Sequence, residues 1–229
     1  MPACCAHANI AQITHFVAPT ALPVLMPREK PTPEPSFGFL STIESPEYGY
    51  FGGYLIVSPL GRPLEFHCTS PVRPSRAQEI LYGPTLQPYL LGEQISTALL
   101  QAAKSPPRLV LTDAAAMLSA RAHSTSPMAL VLSHIDTRGP EDQTLSDTVE
   151  VASNPDASQL RHFAGRIEVG GYELMLPSGF EAEKHTVAEL LEILSQHVDL
   201  AEPFGRIHEA IREAQRLGGR TGEAHGQAA

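Results

Sequence analysis

A chain of 229 residues, 42% hydrophobic and 18% charged, holds enough apolar matter for one sizeable core. Its formal net charge of -9 denies it a broad basic field, and the absence of tryptophan leaves few stacking platforms, so nucleic acid is disfavoured as a partner. No apolar run approaches the roughly 18 residues of a membrane span, and no basic start precedes the weakly apolar N-terminal stretch, so the expectation is a cytoplasmic protein without membrane contact.

Three cysteines, Cys4, Cys5 and Cys68, are an odd set that cannot build a disulfide framework. Cys4, Cys5 and His7 lack the paired spacing of a zinc knuckle, so neither a metal nor another cofactor is expected.

Residues 1–35 are rich in proline and read as an arm, disordered or partner-binding, because closely spaced prolines deny both helix and central strand. From Phe37 the pattern turns to β: "FGFLSTIE", "YGYFGGYLIVSP" and "RPLEFHCTSP" predict a three-stranded antiparallel meander. Gly52-Gly53 inside its second run signals a bulge or a close backbone approach. Ser75 and Gln78 have capping-box spacing and Gly83-Pro84 supplies a stop, which predicts a short helix over 76–82. Thr85 then opens a longer helix with Leu91, Ile95, Ala98, Leu99 and Ala102 at helical spacing.

Next come "PRLVLTD", "AAAMLSARAHS" and "MALVLSHID", the order of a βαβ unit with parallel strands. Residues 137–158 are polar and turn-rich, and predict an exposed loop with at most a short strand near "TVEVA". "RIEVGGYELMLP" reads as a tight hairpin about Gly170-Gly171. Thr186 and Glu189 make a second capping box before a helix facing inward through Val187, Leu190, Leu191, Leu194 and Val198. A last helix carries Phe204, Ile207, Ile211 and Ala214 inward and stops at Gly218-Gly219. The expectation is a mixed α/β fold: an N-terminal antiparallel meander, a central βαβ-like unit, a hairpin and two C-terminal helices around one mixed sheet. Residues 36–217 form its single domain and 218–229 a disordered tail.

Several groups are candidates for chemistry. Strand alternation puts His67 and Cys68 on opposite faces, so they form no dyad; Cys68 shares a face with Leu64 and Phe66 and reads as a core thiol, His67 as a surface imidazole beside Glu65. At the carboxyl ends of the central strands stand Asp113, His134 and Asp136, where ligands gather in open α/β sheets. Joined by His67, they are the candidate catalytic set of a hydrolase or metal-dependent enzyme; the structural alternative for Asp113 is a helix N-cap. His208 sits in a surface-like helix and reads as ordinary. Neither G-x-G-x-x-G nor G-x-x-x-x-G-K-[ST] occurs.

With no arrangement that binds these groups to a reaction, the leading expectation is a non-catalytic accessory or adaptor protein that docks another protein subunit. Its candidate docking residues are Arg73, Arg76, Tyr82 and Tyr89 on the proline-rich strap, since Arg and Tyr are favoured at interfaces. A nucleic-acid-binding reading needs a basic face built by Arg62, Arg73, Arg76 and Arg108.

Overall fold

Residues 35–134 and 163–223 are described by the computed structural model of the protein. The meander is present: β1 (Phe37–Ser45), β2 (Gly49–Val57) and β3 (Pro63–Cys68) pair antiparallel in sequence order. β4 (Leu109–Thr112) and β5 (Met128–His134) run parallel to β1, and β6 (Phe163–Val169) with β7 (Tyr172–Pro177) closes the far edge as an antiparallel hairpin. The result is one seven-stranded mixed sheet in the order β3-β2-β1-β4-β5-β7-β6. The mixed α/β fold read from the sequence is therefore the observed one. The hairpin turns on Gly170 and Gly171, at φ 60° and 81°, the left-handed pair that such a turn requires.

Each sheet face carries its own core. On one, Phe37, Phe39, Leu55, Leu109 and Leu111 are buried under α3 (Lys184–Ser195) and α4 (Glu202–Glu223). On the other, Leu40, Tyr54, Ile56, Val110 and Met128 meet the helical segments that follow the meander. The strands β4 and β5, covered on both faces, are unbroken apolar runs for that reason.

Helix α1 (Arg76–Tyr82) starts as its sequence indicates: Gln78 N–H donates to Ser75 Oγ at 3.3 Å and Ser75 N–H to Gln78 Oε1 at 2.8 Å. The longer helix after it departs from regular geometry. Pro88–Ser96 is wound as a π-helix before α2 (Thr97–Ala102), and the Ser96 hydroxyl donates to the Leu91 carbonyl. The connection between β4 and β5 is a 3-10 helix, Ala115–His123, against which Gly92 of the π-helix packs too closely for any Cβ.

Gly52 and Gly53 answer to the same constraint on opposite faces and do not form a bulge. A Cβ on Gly52 would stand 2.3 Å from Ile95 Cγ2, and one on Gly53 2.4 Å from Ile207 Cγ2. The glycine pair lets the π-helix and α4 both sit down on β2.

Three expectations are corrected. Helix α3 begins at Lys184 after a 3-10 turn, with no side-chain cap, so Thr186 lies inside it. Helix α4 runs through Gly218 and Gly219 to Glu223, because glycine costs a helix only about 1 kcal/mol and stops it only when it turns left-handed. Ala214 of α4 is exposed instead of turned inward. The arm of residues 1–34, Cys4, Cys5, Asp136 and the segment 137–158 lie outside the described residues. No helix among the described residues is long and apolar enough to cross a membrane.

Candidate acid–base site

The site arises where two apolar rows of the sheet turn polar together. Alternate residues of β1 and β4 pair in register, Phe37 with Leu109 and Phe39 with Leu111. One more alternation brings Ser41 and Asp113 side by side on that same face, the one α4 covers. Helix α4 is set there by Phe204, whose ring meets Phe39 edge-on at 5.3 Å. One helical turn later His208 stands over Ser41, on the stripe that also carries Ile207 and Ile211.

The three side chains form a continuous polar contact. Ser41 donates through Oγ to Asp113 Oδ2 at 2.7 Å, and its oxygen lies 2.8 Å from His208 Nε2. While Asp113 is ionised and accepts the serine proton, the imidazole Nε2 must carry a proton and donate to Ser41 Oγ. His208 and Asp113 are themselves farther apart, 3.6 Å from Nε2 to Oδ2. Asp113 Oδ1 is buried and makes no hydrogen bond among the described residues.

Burial dominates the electrostatics. Removal from water pushes the Asp113 carboxyl up to about 7, against the opposing hydrogen bond from Ser41. The same cause, with the positive charge of Arg212 one turn along α4, pulls the His208 imidazole below its usual value. Both groups thus favour their neutral forms, and the carboxyl changes charge near neutral pH. An environment that moves a carboxyl this far is typical of acid–base sites.

Beside the cluster, farther along α4, opens a cavity of about 430 Å³ lined by Tyr48, Phe51, Cys68, Thr69, Ile211 and Gln215, among others. Its walls are mostly apolar, and Gln215 Nε2 is buried there without a hydrogen-bond partner. The cavity and His208 lie along one stripe of the helix, with Ile211 and Gln215 three and seven residues beyond the histidine.

The candidates named from sequence fall in different places. Asp113 joins the cluster and does not cap its helix; the 3-10 helix after it has Ala114 at its N-cap position and no side-chain cap. His67 lies on β3, at the sheet edge, opposite Tyr54 and so on the other face, where it meets Glu65 at 3.1 Å. The topology keeps it away from Asp113. His134 ends β5, and Asp136 lies outside the described residues. Cys68 is exposed and does not belong to the core. The alternation of β3 is as expected but its faces are reversed, since Leu64 and Phe66 are 57% and 40% exposed while Glu65 and His67 are partly buried near the end of α2. Among the described residues no cluster of three or more His, Cys, Asp or Glu side chains is placed to hold a metal ion.

On the strap, Arg76 pairs with Glu79 at 2.8 Å and Arg73 donates to the Pro46 carbonyl at 3.1 Å. The rings of Tyr82 and Tyr89 stack on each other at 4.3 Å. These residues bind their own neighbours. Ser41 was not singled out in the sequence, and His208, read there as an ordinary histidine of a surface-like helix, instead has its side chain 16% exposed against Ser41. A serine in the row Phe37, Phe39, Ser41, Ile43 and a histidine on the Phe204–Ile207–Ile211 stripe were the available signals.

No family model and no curated protein matches the chain. Among solved structures it is similar to Ciona intestinalis endonuclease V (D234N) in complex with a 23mer DNA containing an inosine followed by a ribo-adenosine. That likeness has 13% identity and a TM-score of 0.39 over 78% of this chain and 86% of that one. It is also similar to endonuclease V of the same organism with a 24mer DNA, at 12% identity and a TM-score of 0.40, over 79% and 87% of the two chains. Both neighbours are endonuclease V solved on DNA, in contrast to the expected non-catalytic adaptor docking a protein subunit with nucleic acid disfavoured, and that expectation is withdrawn.

Proposed function

We propose that the protein is a hydrolase whose acid–base group is the buried carboxyl of Asp113, at the carboxyl end of β4. The observation that carries this reading is the carboxyl itself. It is buried, accepts a side-chain hydrogen bond from Ser41 through Oδ2, and changes charge near pH 7, where a general base is most effective. A structural role does not require such a group. Burying an ionisable carboxyl opposes folding, and the aliphatic residues below it in the same two rows fill the same space at no such cost.

In this reading the adjoining, mostly apolar cavity receives the non-reacting part of the substrate. The cysteine usage, without a disulfide framework, supports a cytoplasmic setting for that activity. DNA, the ligand of both endonuclease V structures, is the first substrate to test, followed by simple phosphodiesters and carboxylic esters. The decisive experiment compares the wild-type chain with Asp113→Asn and Ala214→Trp, the latter filling the cavity from an exposed position. Hydrolysis should fall at least about 100-fold in Asp113→Asn. In Ala214→Trp, KM should rise with the fold intact. A wild-type rate in Asp113→Asn overturns the proposal.

A further inference from the structure

The geometry points to Ser41 as a proton relay, a positioning residue that passes a proton between the buried Asp113 and the partly exposed ring of His208. This inference rests on the hydrolase reading for its purpose but not for its test. Asp113 cannot meet a substrate directly: its side chain is 9% exposed, and its Oδ1 has no surface to speak of. His208 retains 16% of its side-chain surface, yet its Nε2 is 3.6 Å from the carboxylate, beyond hydrogen-bond length. Only the serine hydroxyl touches both, at 2.7 and 2.8 Å.

A hydroxyl that donates at one end and accepts at the other can hand on a proton without moving. Starting from the carboxylate and neutral imidazole, a water gives a proton to Nδ1, forming an Nδ1–H bond. The Nε2–H bond then breaks as its proton joins Ser41 Oγ, and the original serine proton leaves to form a bond with Oδ2. At the end Asp113 is a neutral acid, Ser41 is a hydroxyl again and His208 is the other neutral tautomer. The negative charge has passed from the carboxylate to the hydroxide, the nucleophile of a hydrolysis. Reversal returns the proton to a leaving group. Among the described residues, Arg212 is the one further charged group that acts on either partner, and it disfavours an imidazolium resting state.

The relay makes a requirement that packing alone does not: the tautomer of His208 must follow the charge of Asp113. Nitrogen-15 NMR of the ring and carbon-13 NMR of the carboxyl, on the full chain between pH 5.5 and 8.5, read both. In the wild type, His208 should pass from Nδ1–H to Nε2–H over the same pH span in which Asp113 loses its proton. In Ser41→Ala, Asp113 should still titrate while His208 keeps one tautomer, and Ser41→Thr should restore the coupling. A single tautomer across the titration in the wild type overturns the relay, even if Ser41→Ala does not fold. So does a tautomer switch that survives Ser41→Ala. If the coupling stands but Asp113→Asn hydrolyses at the wild-type rate, the hydrolase reading fails and the relay does not.

Discussion

Two of the histidine–carboxylate pairs among the described residues differ above all in their distance from water. At the sheet edge, Glu65 and His67 share β3, their side chains 3.1 Å apart and reached by solvent. A hydrogen bond from the Lys104 backbone N–H and then the His67 ring hold the Glu65 carboxyl below its usual range. Under α4, Asp113 and His208 come from elements far apart in the chain and have a serine between them, and burial pushes the carboxyl the other way. Donors decide where water remains; desolvation decides where it does not. The edge pair is therefore suited to holding the loop after α2 on β3, and the inner pair to exchanging a proton near neutral pH.

Removing what keeps water out should collapse this difference. Phe204 is fully buried against Phe39, and Phe204→Ala should cost about 3–5 kcal/mol of stability. Water admitted beneath α4 should bring the Asp113 carboxyl down from about 7 toward the usual range, leaving Glu65 where it is. Urea unfolding with carbon-13 NMR of both carboxyls checks this, and an unmoved Asp113 would show that α4 is not its shield.

Asp113→Asn attacks the comparison through its sign. The folded carboxyl binds its proton more tightly than the unfolded one, so its contribution favours folding at low pH. That contribution is fully present below about pH 4 and is lost as pH rises through about 7, by up to about 4 kcal/mol. Asparagine has no charge to bury. The variant should be more stable than wild type at pH 8, by as much as that figure, and nearly equal to it at pH 4. His208, held below its usual value, works in the opposite direction as pH falls through 6.5; at pH 8 it is neutral in both chains and leaves the difference there untouched. A variant that gains stability while losing hydrolysis is the pattern of a functional group kept at a folding cost.

The glycine pair of β2 separates effects of packing from effects on the site. Gly52→Ala presses on Ile95 and Gly53→Ala on Ile207, and each should cost about 1–3 kcal/mol. Only Gly53→Ala lifts α4, so only that variant should move the His208 titration toward the ordinary range. Equal shifts in both variants would mean that global loosening, and not the seat of α4, sets the pair.

What was legible in the sequence follows the same division. Elements fixed by local chemistry were readable: the hairpin at Gly170-Gly171, the capping box of Ser75 and Gln78, and the alternation of the meander. Asp113 was readable as a candidate because a strand end followed by a helix is a local signal. Its partners were not, since Ser41 is 72 residues and His208 95 residues away from it and the contact exists only once β1, β4 and α4 stack. β3 misled for a related reason. Its apolar alternates Leu64 and Phe66 imply a core face, but α4 packs chiefly on β1 and β2, and they stay exposed. The π-helix, too, answers to a tertiary demand, the close passage of Gly92 by Ser119, and leaves no periodic trace in the sequence.

The smallest expected effect tests the outer pair. Glu65→Gln keeps an acceptor for the Lys104 N–H but removes the charge, and a solvent-reached pair of this kind contributes at most about 1 kcal/mol. Its sign is the reverse of Asp113. A carboxyl held below its usual range supports folding above its unfolded value and loses that support as pH falls through the folded one. Glu65→Gln should therefore weaken the fold slightly at pH 7, and the difference should vanish as pH falls through the lowered Glu65 value. Added salt should shrink the difference, because the pair is open to screening. The Asp113→Asn difference, arising from burial and not from a partner charge, should survive the same salt. A Glu65→Gln effect as large as that of Asp113→Asn, or one indifferent to salt, would break the division between a pair governed by donors and one governed by desolvation.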